Sequence, residues 1–141
     1  MTIAAVSLGS NVEPRAAYLQ KAIEALSSFP GTRLLKASSV AETEPVDVPP
    51  EFAGMKFLNQ AALFETSLDA RTFSDMMHNV ETDLGRVRTV RNGPRTIDID
   101  LVDFGGMRCD DPDLTLPHPR AASRPFVTEP LREIGFVLPP Q

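Results

Sequence analysis

The residues of this chain best suited to chemistry are two aspartates in the segment GPRTIDIDLVDF, residues 93–104. In a β-strand, residues two apart share a face, so Asp98 and Asp100 would lie about 6.6 Å apart on one side. At an effective dielectric near 20, two carboxylates at that separation repel by about 2.5 kcal/mol. A cation between them removes this cost, and oxygen ligands suit Mg²⁺. The pair is therefore compatible with a magnesium site, although an exposed polar sheet face would show the same pattern. Strict alternation excludes Asp103 from such a site.

Four arginines come just before this acidic strand, in GRVRTVRNGPR, at positions 86, 88, 91 and 95. The chain as a whole is acidic, with a formal net charge of -5, which argues against general attraction to nucleic acid. A local group of arginines on an acidic protein suits a small polyanion, although a solvated basic loop would have the same composition. Arginines for phosphate beside carboxylates for magnesium are the groups that phosphoryl transfer requires.

Four other side chains are candidates for binding. His118 lies between prolines in LPHPR and can donate to a phosphate, but a turn histidine without function explains the spacing equally well. Phe57 and Phe126 are either core aromatics or walls for a flat ligand. Asn59 shares the predicted face of Phe57, and its amide can read the donor and acceptor edge of a heterocycle.

Length and composition indicate one globular domain. The chain has 141 residues, of which 42% are hydrophobic and 23% charged. Its single cysteine, Cys109, forms no internal disulfide and fits a reducing compartment, so we expect a cytoplasmic protein. The opening MTIAAVSLG reads as a first strand and not as a signal peptide, and no apolar run is long enough to span a bilayer.

The hydrophobic pattern predicts six main elements and a tail. Strands are expected at 3–8, 32–43, 57–66 and around the two aspartates, with helices within 9–29 and 67–85, a long loop at 44–56 and a short final helix. This β-α-β-β-α-β order is the ferredoxin-like α+β pattern, an antiparallel sheet with helices on one face and here a C-terminal extension. The other sheet face is then free to bind a ligand.

Residues that can begin or end a helix flank both predicted helices, and each helix has apolar residues spaced along one face. Asn11 can cap the first helix, Pro14 suits its first turn, and Gly85 can end the second in the left-handed conformation. The expected buried stripes are Leu19, Ile23 and Leu26 in the first helix, and Phe73, Met77, Val80 and Leu84 in the second.

The combined motifs closely resemble the 6-hydroxymethyl-7,8-dihydropterin pyrophosphokinase family of folate biosynthesis. The resemblance is carried by GRVRTVRNGPRTIDIDLVDFG and LTLPHPRAASRPFVTEPLREI, while LGSN, SSVAETEPV and FLNQAALFET fit the same pattern. It covers nearly the whole chain and implies a single domain over residues 1–141. That domain would transfer pyrophosphate from ATP, its co-substrate, to the pterin hydroxymethyl group and release AMP. Two Mg²⁺ ions are implied, no nucleic-acid or membrane partner is expected, and a monomer is the expected state.

The resemblance also implies roles for individual residues. Catalytic positions correspond to Arg86, Arg95 and Asp98, and the magnesium ligands to Asp98 and Asp100. The implied ATP contacts are Glu81, Arg88, Arg91, Leu101, Thr115, His118 and Arg124. The implied pterin contacts are Thr43, Val46, Phe57, Asn59 and Phe126. The segments 44–56 and 86–93 correspond to loops that close over substrates in the family.

Two other functions are compatible with parts of the pattern. A nucleotidyltransferase also combines a Gly-Ser turn with a D-x-D strand, but there the two lie close in sequence, whereas Gly9-Ser10 and Asp98 are far apart. The second is a ferredoxin-like regulatory domain that binds RNA or a metabolite without catalysis. An RNA-binding sheet needs exposed aromatics on its middle strands, and an acidic strand would repel RNA.

Overall fold

The computed structural model describes residues 1–44, 49–85 and 96–138. The strands are β1 (Thr2–Ser10), β2 (Thr32–Ala37), β3 (Ala41–Thr43), β4 (Phe57–Thr66), β5 (Asp98–Phe104), β6 (Cys109–Asp111) and β7 (Leu114–Leu116). The α-helices are α1 (Arg15–Ser27), α2 (Ala70–Asp83) and α3 (Pro125–Glu133), and short 3₁₀ turns lie at Pro50–Phe52 and Ala121–Ser123. Among the described residues, no helix is both long and apolar enough to cross a bilayer.

The main sheet is antiparallel and confirms the predicted ferredoxin-like α+β fold. Its strand order is β2-β4-β1-β5, and β3 pairs with the start of β4. The predicted strand 32–43 is therefore two strands. They are separated at Ser38, whose Oγ accepts the Ala61 N–H at 2.9 Å and whose own N–H donates to the Ala61 oxygen at 2.8 Å. A hydroxyl in the ladder breaks the regular pairing at that point.

One sheet face carries α1 and α2 and holds the larger hydrophobic cluster. Both predicted stripes pack there, with Leu19, Leu26, Phe73, Met77 and Val80 buried and Ile23 and Leu84 partly buried. The ring of Phe73 lies at the centre, 5.5 Å from that of Phe29 and 6.0 Å from that of Phe104. Gly85 has φ +89° and ends α2 as predicted.

The start of α1 differs from the prediction. The helix begins at Arg15, so Asn11 lies three residues before the N-cap position, Pro14, and does not cap it. A cap side chain must reach an N–H two or three residues further on, which Asn11 cannot do here. The carboxylate of Glu13 accepts the Arg15 N–H at 3.0 Å instead.

The second sheet face is not wholly free, because the C-terminal helix α3 covers one end of it. Apolar side chains from the C-terminal part of the chain pack there against small side chains of the sheet. The cluster contains Val127, Leu131 and Ile134, and from the sheet Ala5, Ala61, Leu63 and Val102. The expectation of a free face is wrong for this end. The other end carries polar residues, and the candidate site lies there.

A β-bulge in β5 changes the direction of its third aspartate. Val6 pairs with Leu101 but Ala5 pairs with Asp103, so Val102 is the extra residue. Asp103 therefore shares the face of Ala5, and the prediction from strict alternation that it points the other way is wrong. Its Oδ2 accepts the Gly106 N–H at 3.0 Å and closes the turn after the strand.

Candidate active site

The centre of the candidate site is a glycine between two predicted site residues. Gly9 of β1 pairs with Asn59 of β4 on one side and with Asp98 of β5 on the other. The Cα atoms of Asn59 and Asp98 are thus about 10 Å apart across the sheet. A Cβ added to Gly9 would lie 3.4 Å from Asn59 Oδ1 and 3.5 Å from Phe57 Cδ1. The glycine keeps the space beside both residues clear of a side chain.

Asn59 offers its amide oxygen to that space. The residue is 5% exposed, and its Nδ2 donates to Thr43 Oγ1 at 2.6 Å. This hydrogen bond fixes the amide and connects β3 to β4. Since the Nδ2 points to Thr43, the Oδ1 lies on the Gly9 side, where it can accept from the edge of a ring.

The two predicted ring-stacking aromatics lie on the same side of the sheet. Phe57 is half-buried and belongs to neither hydrophobic cluster of the described residues, which argues against a purely structural role. Phe126, on α3, is half-buried at the margin of the second cluster. The guanidinium of Arg124 lies 5.7 Å from the Phe126 ring centroid and so connects a predicted ATP contact with a predicted pterin contact.

Asp98 and Asp100 present carboxylates from one face of β5, as predicted, and both are partly exposed. Asp100 pairs with Ser7 and Asp98 with Gly9, so only small side chains lie beside them on β1. Among the described residues, no group of three His, Cys, Asp or Glu side chains could hold a metal ion. Two hard oxygen donors nevertheless fit Mg²⁺, which binds through one or two carboxylates and completes its shell with water and phosphate.

Hydrogen bonds hold His118 beside β5. Its backbone N–H donates to the Val102 oxygen at 2.8 Å, and its Nδ1 accepts the Arg120 N–H at 3.2 Å. Its Nε2, which then carries the proton, lies 3.9 Å from Asp100 Oδ1. Burial, assisted by the charge of Arg124, lowers the pKa of His118, while Asp98 acts in the opposite direction. A neutral imidazole that donates from Nε2 is the form expected at neutral pH.

The other described candidates for ATP binding lie around the same strand. Glu81 of α2 is 3% exposed, and its Oε2 accepts the N–H of Ile99, the residue between the two aspartates, at 2.8 Å. Leu101 is buried in the first cluster, on the face opposite to the carboxylates. Thr115 is exposed on β7, where its hydroxyl donates to the Asp111 oxygen at 3.2 Å. Their ATP roles stay predictions.

Five predicted site residues lie outside the described part of the chain, namely Val46, Arg86, Arg88, Arg91 and Arg95. The whole of the segment 86–93 and residues 45–48 of the segment 44–56 lie outside it too. In the sequence, Gly9 is part of the LGSN motif and of a Gly-Ser turn, but these do not predict its position at the centre of the site. A glycine inside a strand often marks a close approach to the backbone, and that was the available signal.

Comparisons with known proteins agree with this geometry. The family model for 7,8-dihydro-6-hydroxymethylpterin-pyrophosphokinase (HPPK) matches residues 5–135. A 2-amino-4-hydroxy-6-hydroxymethyldihydropteridine pyrophosphokinase of Bacillus subtilis is 39% identical over 132 residues, which are 94% of this chain and 77% of that protein. The protein of the same name from Methylorubrum extorquens is 39% identical over 136 residues, or 96% of this chain and 84% of the relative.

Solved structures match the fold at low sequence identity. A crystal structure of HPPK-DHPS in complex with substrates superposes with a TM-score of 0.69 at 12% identity. A Plasmodium falciparum HPPK-DHPS with pterin and p-hydrobenzoate superposes with a TM-score of 0.68 at 14% identity. Each match covers 94% of this chain, which spans 40% of the longer HPPK-DHPS chain. The resemblance deduced from the motifs is thereby confirmed, and the chain belongs to the 7,8-dihydro-6-hydroxymethylpterin-pyrophosphokinase family.

Proposed function

We propose that this chain transfers pyrophosphate from ATP to the hydroxymethyl group of 6-hydroxymethyl-7,8-dihydropterin and releases AMP. The observation that supports this best is the pairing of Gly9 with both Asn59 and Asp98. Asn59 can recognise a heterocycle and Asp98 can hold a metal ion, and this pairing sets their Cα atoms about 10 Å apart. That separation suits a ring whose hydroxymethyl arm reaches toward a nucleotide phosphate.

On the ring side, the proposal gives recognition to Asn59 and stacking to two aromatics. The Asn59 Oδ1, fixed through the bond from Nδ2 to Thr43, would accept from the pterin edge. Phe57 and Phe126 would cover the two ring faces, and offset stacking of this kind adds roughly 0.5–1.5 kcal/mol per pair beyond area burial. Val46 is proposed as a further contact by family resemblance.

On the phosphate side, Asp98 and Asp100 would hold the magnesium, two ions in the full proposal. When bound, magnesium neutralises phosphate charge and polarises the phosphorus that is attacked. His118 would donate from Nε2 to a phosphate oxygen, with Arg124 nearby. The other proposed cationic and nucleotide contacts follow the family pattern, namely Arg86, Arg88, Arg91, Arg95, Glu81, Leu101 and Thr115.

The proposed reaction moves two phosphoryl units together. The pterin hydroxymethyl oxygen forms a bond to the β-phosphorus, and the bond from that phosphorus to the α–β bridging oxygen breaks. AMP leaves with the bridging oxygen, and the proton of the hydroxyl passes to solvent. The sequence has no G-x-x-x-x-G-K-[ST] loop of the kind that prepares γ-phosphoryl transfer. We further propose that residues 1–141 act as one domain in a reducing, cytoplasmic setting.

The identity of the nucleotide product tests this function directly. Incubation with ATP, Mg²⁺ and 6-hydroxymethyl-7,8-dihydropterin should yield AMP in a 1:1 ratio with pterin pyrophosphate, because attack at the β-phosphorus leaves AMP. Chromatography of the nucleotides and mass spectrometry of the pterin measure both products. ADP with a monophosphorylated pterin would contradict the proposal, and AMP joined to the substrate would indicate a nucleotidyltransferase.

Neutralising the aspartates one at a time tests the magnesium site. Asp98→Asn and Asp100→Asn should each lower kcat at least about a hundredfold, because an amide is a poor ligand for Mg²⁺ beside phosphate. Melting temperature should stay within about 4 °C of wild type, the shift that roughly 1 kcal/mol produces in such a domain. Asp103→Asn is the matched control: its amide oxygen can still accept the Gly106 N–H, so turnover should be nearly unchanged. Equal loss in all three variants would mean that the three carboxylates share one role.

The variant Phe57→Ala tests whether Phe57 stacks on the pterin or only packs in the core. Because Phe57 lies outside both hydrophobic clusters, the variant should weaken pterin binding far more than ATP binding and shift the melting temperature little. Calorimetric affinities for each ligand and thermal unfolding measure these effects. The control is Phe64→Ala on the same strand, where a fully buried ring is removed at a cost of about 3–5 kcal/mol. If Phe57→Ala instead behaves like Phe64→Ala, the stacking role is wrong.

A further inference from the structure

Arg15, the first residue of α1, contacts two separate parts of the chain near the ring side of the site. Its Nη1 donates to Glu42 Oε2 at 2.9 Å and to the backbone oxygen of Lys56 at 3.0 Å. Its Nε donates to Glu13 Oε2 at 3.1 Å, and this bond joins the guanidinium to the segment just before α1. The Arg15 side chain is 19% exposed, against 46% for that of Glu42. One partly buried cation therefore bridges β3 and the residue that precedes β4.

Each of these two contacts lies one residue away from a side chain of the proposed ring site. Glu42 precedes Thr43, and Lys56 precedes Phe57. Thr43 and Phe57 face each other as a pair in the β3–β4 ladder, and β3 has only three residues. A ladder of that length is a weak anchor by itself. We propose that Arg15 is a positioning residue that sets the spacing of Thr43 and Phe57 for the pterin, an inference that rests on the proposed function.

A guanidinium is well suited to this role. Its planar group has five N–H donors in fixed directions, so one side chain can hold several acceptors at once. The carboxylates that pair with Arg15 are exposed, at 46% for Glu42 and 75% for Glu13, and ion pairs that reach solvent add little to global stability. The loss of Arg15 should therefore affect the geometry of the ring site more than the melting temperature. The proposed magnesium ligands are on β5, which β1 separates from β4. The kcat and the affinity for ATP should therefore stay unchanged.

Steady-state kinetics of Arg15→Ala test this role. The KM for the pterin should rise about threefold to tenfold, the range expected when a partly exposed, charge-assisted contact is lost. The kcat and the KM for ATP should stay within about twofold, because only ring binding is disturbed. Arg15→Lys should recover part of the pterin KM, since one ammonium group can reach one of the two acceptors. Glu42→Gln should stay nearer wild type, because its amide oxygen can still accept.

Two further measurements separate positioning from general destabilisation. Arg33→Ala is the matched control, since it removes an ion pair of 3.0 Å to Glu65 near the other end of β4. It should leave both KM values unchanged. The double variant Arg15→Ala/Glu42→Ala should raise the pterin KM no further than Arg15→Ala alone, because Glu42 acts on the ring site through its bond to Arg15. If Arg15→Ala does not fold, Glu42→Ala removes the same ion pair from its exposed side but keeps the bond to the Lys56 oxygen, so the pterin KM should rise by a smaller factor with kcat and the KM for ATP unchanged.

The outcomes for Arg15 and for the proposed function are distinguishable. A wild-type protein that forms no AMP from ATP and the pterin would overturn the proposed function. Normal wild-type turnover with an unchanged pterin KM in Arg15→Ala would overturn only the role of Arg15. A parallel rise in the KM for pterin and for ATP would overturn it too, as would additive effects in the double variant.

Discussion

The arrangement of the site depends on the register of β1 between β4 and β5. Nine consecutive residues of β1 pair with β4, and the same strand pairs with β5 on its other edge. Because side chains alternate along a strand, a slip of one residue would turn Gly9 and Ser7 to the opposite face. Asn59 and Asp98 would then no longer share a glycine neighbour. The residues proposed for substrate recognition and for metal binding are thus coupled through backbone hydrogen bonds.

Hydrophobic packing on both faces fixes this register. Val6 and Leu8 are buried under α1 and α2, while Ala5 on the alternate face packs in the cluster under α3. A shifted register would expose the first two side chains, and each fully buried aliphatic residue contributes roughly 1.5–3 kcal/mol. The polar end of the second face is stabilised differently. There Asn59 is held by Thr43. From the first face, Glu81 of α2 accepts the N–H of Ile99, the residue between the two aspartates.

Much of this arrangement could be predicted from the sequence because it follows from simple periodicity. The helical stripe through Phe73 and Met77, the strand 57–66 and the shared face of Asp98 and Asp100 all depend on spacing alone. The family motifs then suggested roles for the side chains. Those roles depend on contacts with substrate, which periodicity cannot supply.

The features that the sequence did not predict arise from local hydrogen bonds that compete with periodicity. Ser38 enters the sheet ladder and divides one predicted strand into β2 and β3. The bulge at Val102 places Asp103 on the face of Ala5, whereas strict alternation predicts the opposite face. The Arg15 contacts join residues 27 and 41 positions apart in sequence, so no local pattern indicates them.

The central claim is that the missing side chain of Gly9 leaves the passage between ring recognition and metal binding clear. Gly9→Ala tests it most directly, because an added Cβ would meet Asn59 and Phe57 at ordinary contact distances and the fold should tolerate it. We predict that kcat/KM for the pterin falls about tenfold or more, a loss of roughly 1.4 kcal/mol, with melting temperature and ATP affinity unchanged. A stable Gly9→Ala protein with wild-type kcat/KM for the pterin would contradict the account.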